Sequence, residues 1–458
     1  MSGIFRIVLA VVIMLAALTG HSAQSRAQRP SLILDTETED IIRIYASPIF
    51  KAANLKGSDI KIFIVKDNSL NAFVAGGQKL FINTGLIINS DSPGQIIGVI
   101  AHETGHIAGG HLSRIHDALS KSTGPAILGL LLGGAAAVVS GRGDVGAAII
   151  AGGQNAALRN FLAYNRTQEA SADHAAISYL EKTEQSARGL LNFMEKLGDQ
   201  ELLSPAQQDP YVRSHPLTRN RMATLANHIE TSKFSDQPET ERFTALHRRM
   251  KAKLFAFLNP YGRTIRIYKT NDPSLESRYA RAIAEYRRTN LEPALKLING
   301  LIAEHPQDPY FHELKGQMLF ENGRIIESIR AYGTAAQILP DAPLIRRDLA
   351  RTQIEANDPK LLNAAIANLE IALSRDRESA SNWRFLAIAH GRNGDQGRSY
   401  LALGEEALLR GKPPVARFQA GRAKNLYKRR SREWLQAEDI LLAADDLERT
   451  QKRRKNNR

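Results

Sequence analysis

The chain has 458 residues, 43% of them hydrophobic and 24% charged, a composition that excludes wholesale disorder and leaves room for two or three domains. Its formal net charge of +14 invites a nucleic-acid partner, yet no aromatic–basic RNP pattern, Cys/His finger or basic zipper accompanies it, so none is expected. The charge fits an anionic membrane surface or an acidic partner equally well. There is no cysteine. That excludes disulfides and thiol-linked lipid, and leaves only His and carboxylate to hold any zinc.

At the N-terminus, Arg6 precedes an apolar run from Ile7 to Leu18, and small or polar residues follow to Ala27. The run falls short of the ~20 apolar residues a membrane span needs. Residues 1–27 are therefore expected to be an export signal, cleaved near Ala23 or Ala27. An amphipathic helix is expected from Asp35 to Ala53. A strand from Ile60 to Val65 follows a turn at Gly57-Ser58-Asp59. Asn71–Ala75 and Lys79–Asn83 flank Gly76-Gly77 as a hairpin. Ser92-Pro93 opens a helix, with Ser as N-cap and Pro at the first helical position. Its apolar residues Ile96, Ile97, Val99 and Ile100 lead into His102.

His102-Glu103-Thr104-Gly105-His106 carries the chemistry. Two imidazoles four residues apart lie on one helical face and can grip one metal ion. Glu103, one residue further round, can take a proton from water at that ion. A third ligand is needed. Leu112 stands where a third histidine of the longer HExxHxxGxxH motif would fall, so a carboxylate on a later helix is expected. Glu169 supplies it, on a helix from Asn165 to Leu180. Asp173 lies one turn on, able to accept the outer N–H of a ligand histidine. Glu181 and Glu184 are weaker alternatives. His111 falls about half a turn away from His102, so it is expected to be structural or to support a ligand; His116 reads as surface.

From Pro125 to Gly153 the chain is rich in Ala, Gly, Leu, Ile and Val. Its longest apolar run, Ala126 to Val139, is expected to form a buried hairpin or lid, with peripheral membrane contact as the alternative. After about residue 275, Gly316, Leu319, Gly323, Ser328, Tyr332, Ala335 and Pro340 follow the 34-residue tetratricopeptide (TPR) pattern. Trp383, Leu386, Ala387, Gly394, Ser399, Leu403 and Ala407 repeat it. Weaker units precede and separate these two, with extra residues near Asp358-Pro359, and Val415–Glu448 reads as a capping helix pair.

Taken together, His102–His106, Glu169–Asp173, Asn71-Ala72-Phe73 and Ser214-His215-Pro216 with Arg221 resemble the M48-type zinc metallopeptidases. Fusion to exported TPR repeats is similar to the periplasmic members of Gram-negative bacteria that assist outer-membrane β-barrel assembly. The resemblance implies a periplasmic endopeptidase with one Zn2+ per chain, acting on unfolded or misassembled proteins, whose repeats meet the outer-membrane assembly machinery. It implies that His215 donates to the oxyanion or closes the metal site, and that Arg221 assists the oxyanion or braces the loop. It also implies that Asn71, Ala72 and Phe73 form an edge to which substrate adds. The expected fold is mainly α (α+β): a zincin-like metalloprotease domain with a small β-hairpin or sheet over residues 28–262, a TPR α-solenoid over 263–450, and a basic tail at 451–458. A TPR scaffold with a mostly latent protease site is the competing function.

Overall fold

The computed structural model describes residues 31–111, 155–198 and 210–456. The expected export signal, the Ala126–Val139 run and His116 lie outside them. The chain divides into two compact units. One comprises residues up to Ile33 and Ile41–His247; the other comprises Leu34–Asp40 and Arg248–Arg458.

In the first unit, a four-stranded sheet is formed by β1 (Leu32–Ile33), β2 (Lys61–Val65), β3 (Ala72–Ala75) and β4 (Lys79–Asn83), in the order β1-β2-β4-β3. β2 and β4 are parallel, whereas β1 and β3 pair antiparallel with β2 and β4. The expected hairpin is present, and positive φ at Gly76 and Gly77 makes its turn. Where a turn was expected before β2, Gly57–Asp59 forms one turn of 3-10 helix. Leu80 and Ile82 point to the core, while Phe63, Phe81 and Phe73 stack in a row on the half-exposed face, with centroids 5.0 and 4.9 Å apart. β3 is an edge strand.

Helix α1 (Thr36–Ala52) buries Ile41, Ile42, Tyr45, Ala46, Ile49 and Phe50, the one-sided pattern its sequence announces. A short α2 (Thr84–Asn89) follows β4, and then comes α3 (Pro93–Ala108), the helix of the HExxH residues. Pro93 occupies its first position as expected, but the Ser92 side chain makes no capping bond. Instead Glu239 Oε1 accepts the orphan Gly94 N–H at 2.8 Å. Helices α4 (Asn155–Lys182) and α5 (Arg188–Gly198) pack on α3, so α4 starts ten residues earlier than the sequence suggests. The approach is close: a Cβ on Gly105 would sit 2.9 Å from the Ala172 carbonyl oxygen, and one on Gly98 2.7 Å from Leu190 Cβ. Among the described residues of this unit, two short helices follow, α6 (Pro210–Ser214) and α7 (Arg219–Thr231).

In the second unit, α8 (Glu241–Leu258) contributes its residues from Arg248 onward, and α9 (Tyr261–Ile267) follows. The boundary thus precedes the expected one at 262. Ala252 and Ala256 explain this, because they join the core of Tyr279, Ile283, Ile298 and Phe311 under the first repeats. Antiparallel pairs then succeed one another: α10 (Leu275–Arg287) with α11 (Leu291–Glu304), α12 (Pro309–Glu321) with α13 (Ile325–Ile338), α14 (Pro343–Glu355) with α15 (Leu362–Arg375), and α16 (Ala380–Arg392) with α17 (Gln396–Leu409). The extra residues near Pro359 form a 3-10 turn, Pro359–Leu361, between α14 and α15. α18 (Pro413–Lys424) and α19 (Arg432–Asn456) end the solenoid, and the expected basic tail continues α19. No helix among the described residues is long and apolar enough to cross a membrane.

Leu34–Asp40, at the start of α1, also belongs to this second unit. Its acids are held by a buried polar cluster. Tyr279 donates to Glu37 at 2.8 Å, Tyr310 to Asp40 at 2.9 Å, and Lys253 pairs with Asp35 at 2.5 Å. Thr36 donates to Glu313 Oε1 at 2.6 Å, while among the described residues no donor reaches the buried Glu313 Oε2. Burial pushes the Glu313 carboxyl up to about 8, with Asp35 and Asp348 adding to the shift and Lys253 and Thr36 opposing it.

Two consequences are measurable. Between the ordinary carboxyl range and about pH 8, the folded state holds a proton on Glu313 that the unfolded chain has lost, so stability falls as pH rises through that window. Denaturant midpoints from pH 5 to 9 should fall less for Glu313→Gln than for the native chain, with the gap widening towards pH 9. Gly105→Val should lower stability by roughly 1–3 kcal/mol in the same titration, because α4 cannot retreat without unpacking from α3.

Candidate metal centre

α3 is buried throughout its middle, so Ile96, Ile97, Val99 and Ile100 carry His102, Glu103 and His106 into a region with almost no water. The helical spacing brings the two rings together, with His102 Nε2 and His106 Nε2 3.1 Å apart. α4 crosses beside them and presents Glu169, whose Oε2 lies 3.3 Å from His102 Nε2 and whose Oε1 lies 3.4 Å from His106 Nε2. His215, just past α6, brings Nδ1 to 3.3 Å from His102 Nε2 and 3.0 Å from Glu169 Oε2. One donor atom from each of His102, His106, Glu169 and His215 falls within 4.8 Å of all the others. Four donors about 2.1 Å from one tetrahedral ion lie ~3.4 Å from each other, so this spacing fits a single zinc-sized cation. Glu181 accepts from Ser232 and pairs with His228, and it is not among the four.

Around the four stands a second ring of bonds. Asp173 Oδ1 lies 2.9 Å from His102 Nδ1, on the outer side of that ring. Arg221, in the first turn of α7, holds Asp173 through Nε at 2.6 Å and a terminal nitrogen at 2.9 Å. Its other terminal nitrogen donates to the Pro216 carbonyl at 2.9 Å and lies 3.1 Å from Glu169 Oε2. The guanidinium therefore ties the loop of His215 and Pro216 to the carboxylates of α4. Tyr211 lies under His215, with ring centroids 4.6 Å apart, and stacks upon it. Sequence reasoning passed over Tyr211; its position four residues before His215, on one helical turn, was the available signal.

The carboxyl groups are driven apart in proton affinity. Burial would raise Glu169, but the charge of His215 and the bonds from three histidines hold it well below the usual range. Asp173 is likewise buried, and Arg221 and His102 bring it down to about 2. Glu103 moves the other way: desolvation raises it, outweighing the attraction of His215 and His102. Among the described residues no side chain makes a hydrogen bond to either Glu103 oxygen; His215 Nε2 lies 3.4 Å from one of them, and the Val74 backbone favours the charged form. Burial disfavours charge on both rings of the HExxH helix. It takes His106 down to about 3, whereas at His102 the bonds to Asp173 and Glu169 overcome it and push the ring up to about 9. The same negative field that favours a proton on His102 favours a divalent cation there.

Of the expected substrate edge, Asn71 and Ala72 are buried and Phe73 is half-exposed on its stacked face. β3 packs against α3. The Asn71 side-chain oxygen is buried with no donor among the described residues.

Residues 35–229 match the model of peptidase family M48. The beta-barrel assembly-enhancing protease of Yersinia pestis is 22% identical over 395 residues, covering 85% of this chain and 79% of that protein. The protein of the same name from Escherichia coli K12 is 22% identical over 401 residues, with the same coverage. A putative beta-barrel assembly-enhancing protease from Vibrio cholerae is 23% identical over 273 residues, or 57% of this chain and 54% of that one. The donor cluster thus falls inside the segment that matches peptidase family M48, and paired helices follow that segment.

Proposed function

We propose that this metallopeptidase is a periplasmic zinc endopeptidase that cleaves misfolded or stalled exported and outer-membrane proteins, which its repeats recruit. The observation that carries the reading is a set of four donors close enough to share one ion, beside the buried carboxylate of Glu103. The names of the similar proteins supply the outer-membrane context.

In this reading His102, His106 and Glu169 hold the ion. Held there, a zinc ion would supply Lewis acidity for the scissile carbonyl and for water near neutral pH. Glu103 is placed to take a proton from an attacking water and return it to the leaving amine, a task suited to a carboxyl whose proton affinity is raised by burial. Asp173 orients His102, and Arg221 holds Asp173 and the His215 loop. The extended substrate adds to the open edge of β3, where Asn71 offers its buried oxygen to a peptide N–H and Phe73 lines the approach. Backbone pairing of this kind tolerates many sequences, as a quality-control enzyme requires.

His215 favours the second reading, a protease at rest in a latent state while the repeats act as a scaffold. Its Nδ1 completes the donor set, and catalytic zinc sites keep one position open for water or substrate. The ring must swing away before cleavage.

Three outcomes follow. Glu103→Gln should keep zinc, read by metal analysis of the purified chain, and lose about 10²–10⁴-fold in cleavage of an unfolded protein; unchanged cleavage removes the mechanism. Glu169→Gln should lose the metal. His215→Ala should retain zinc and raise basal cleavage if the histidine closes the site, whereas a fall of about 10²–10³-fold in kcat would make it an oxyanion donor instead.

A further inference from the structure

We infer that His111 is a positioning residue that fixes the tautomer and orientation of His106, the counterpart of what Asp173 does for His102. The inference rests on the reading that His106 binds the metal through Nε2, the nitrogen facing His102 and Glu169. On the opposite side of that ring, His106 Nδ1 lies 2.9 Å from His111 Nδ1. Two nitrogens at that distance share one proton. An imidazole that gives Nε2 to a cation carries its hydrogen on Nδ1. His106 therefore donates and His111 accepts, which fixes His111 as the tautomer protonated on Nε2. The two rings stand almost perpendicular, 80° between planes with centroids 4.9 Å apart, so the His106 N–H can point along the lone pair of its partner.

The chain is built to deliver this contact. On a continuing helix, residue 111 would stand about 140° round from residue 106 and face away. The helix instead stops at Ala108, and Gly110 adopts a φ of +62°, which reverses the chain. Gly109 leaves the space into which the ring folds, since a Cβ there would lie 2.4 Å from His111 Nε2. The ring ends only 3% exposed. A buried imidazole serving merely as filler would be a costly choice, whereas one that accepts a ligand's N–H has a partner for its lone pair. The two ligands are thus tuned unequally, His102 by an anion and His106 by a neutral ring, so the Asp173 side carries more of the basicity.

The test is zinc affinity of the full chain, measured by chelator competition, for His106→Ala, His111→Phe, His111→Asn and Gly109→Ala. His106→Ala should abolish tight binding; if it does not, the ligand reading itself fails. Given that loss, His111→Phe should weaken binding about 10–100-fold, the usual effect of removing a ligand's outer partner. Asn, whose side-chain oxygen can take the place of Nδ1, should restore most of it. Gly109→Ala should resemble His111→Phe. Native affinity in His111→Phe overturns the inference while leaving His106 a ligand, and so does equal loss in the Phe and Asn variants, because an acceptor at this position would then make no difference.

Discussion

Buried charge is the constraint on which this molecule depends. Glu103, Glu169 and Asp173 are all at most 2% exposed, and Arg221 is the single guanidinium set among them. Three buried acids set against one guanidinium leave a negative excess in a region of low dielectric, which favours a proton on His102 or a cation beside it. A divalent ion brings the matching charge, and the imidazoles bring neutral nitrogens around it. The apolar half of α3 makes the dryness, and the dryness makes the ion necessary.

The same economy explains why so few residues act alone. Asp173 faces His102 on one side and Arg221 on the other; Arg221 in turn reaches Pro216, and so governs where His215 stands. A loop histidine is thereby coupled to a carboxylate on a helix more than forty residues earlier. Glu103 is the exception. Its carboxyl is fully buried, and desolvation outweighs the attraction of His215 and His102, the state in which a carboxylate retains affinity for a proton. Groups pushed apart in this way divide into those that hold charge and those that move protons.

The repeat unit obeys a plainer rule. Small residues let paired helices approach, and large ones fill the seam, so each pair is stable only against its neighbours. Leu34–Asp40 follows another logic. That short acidic segment is held by Arg249, Lys253, Tyr279 and Tyr310 inside the second unit. A helix start on a generic amphipathic pattern thus becomes part of a remote core.

Much of this was legible in the order of the residues, because it depends on local spacing. Histidines four apart on a helix must share a face, glycines at 76 and 77 must turn, and small, large and breaking residues at a 34-residue period must stack helix pairs. The pairing of Glu169 with Asp173 was equally readable, being one turn of one helix. Tertiary structure alone decided the rest. Where Arg221 points depends on α7 meeting α4, and whether His215 completes the donor set depends on a loop placed by Tyr211 and Pro216. Ser92 failed as a cap because Glu239, far along the chain, took the Gly94 amide instead. His111 looked misplaced on an ideal helix and gains its partner only because the helix ends. Sequence specifies which groups are near along the chain; packing chooses which distant ones share a proton or an ion.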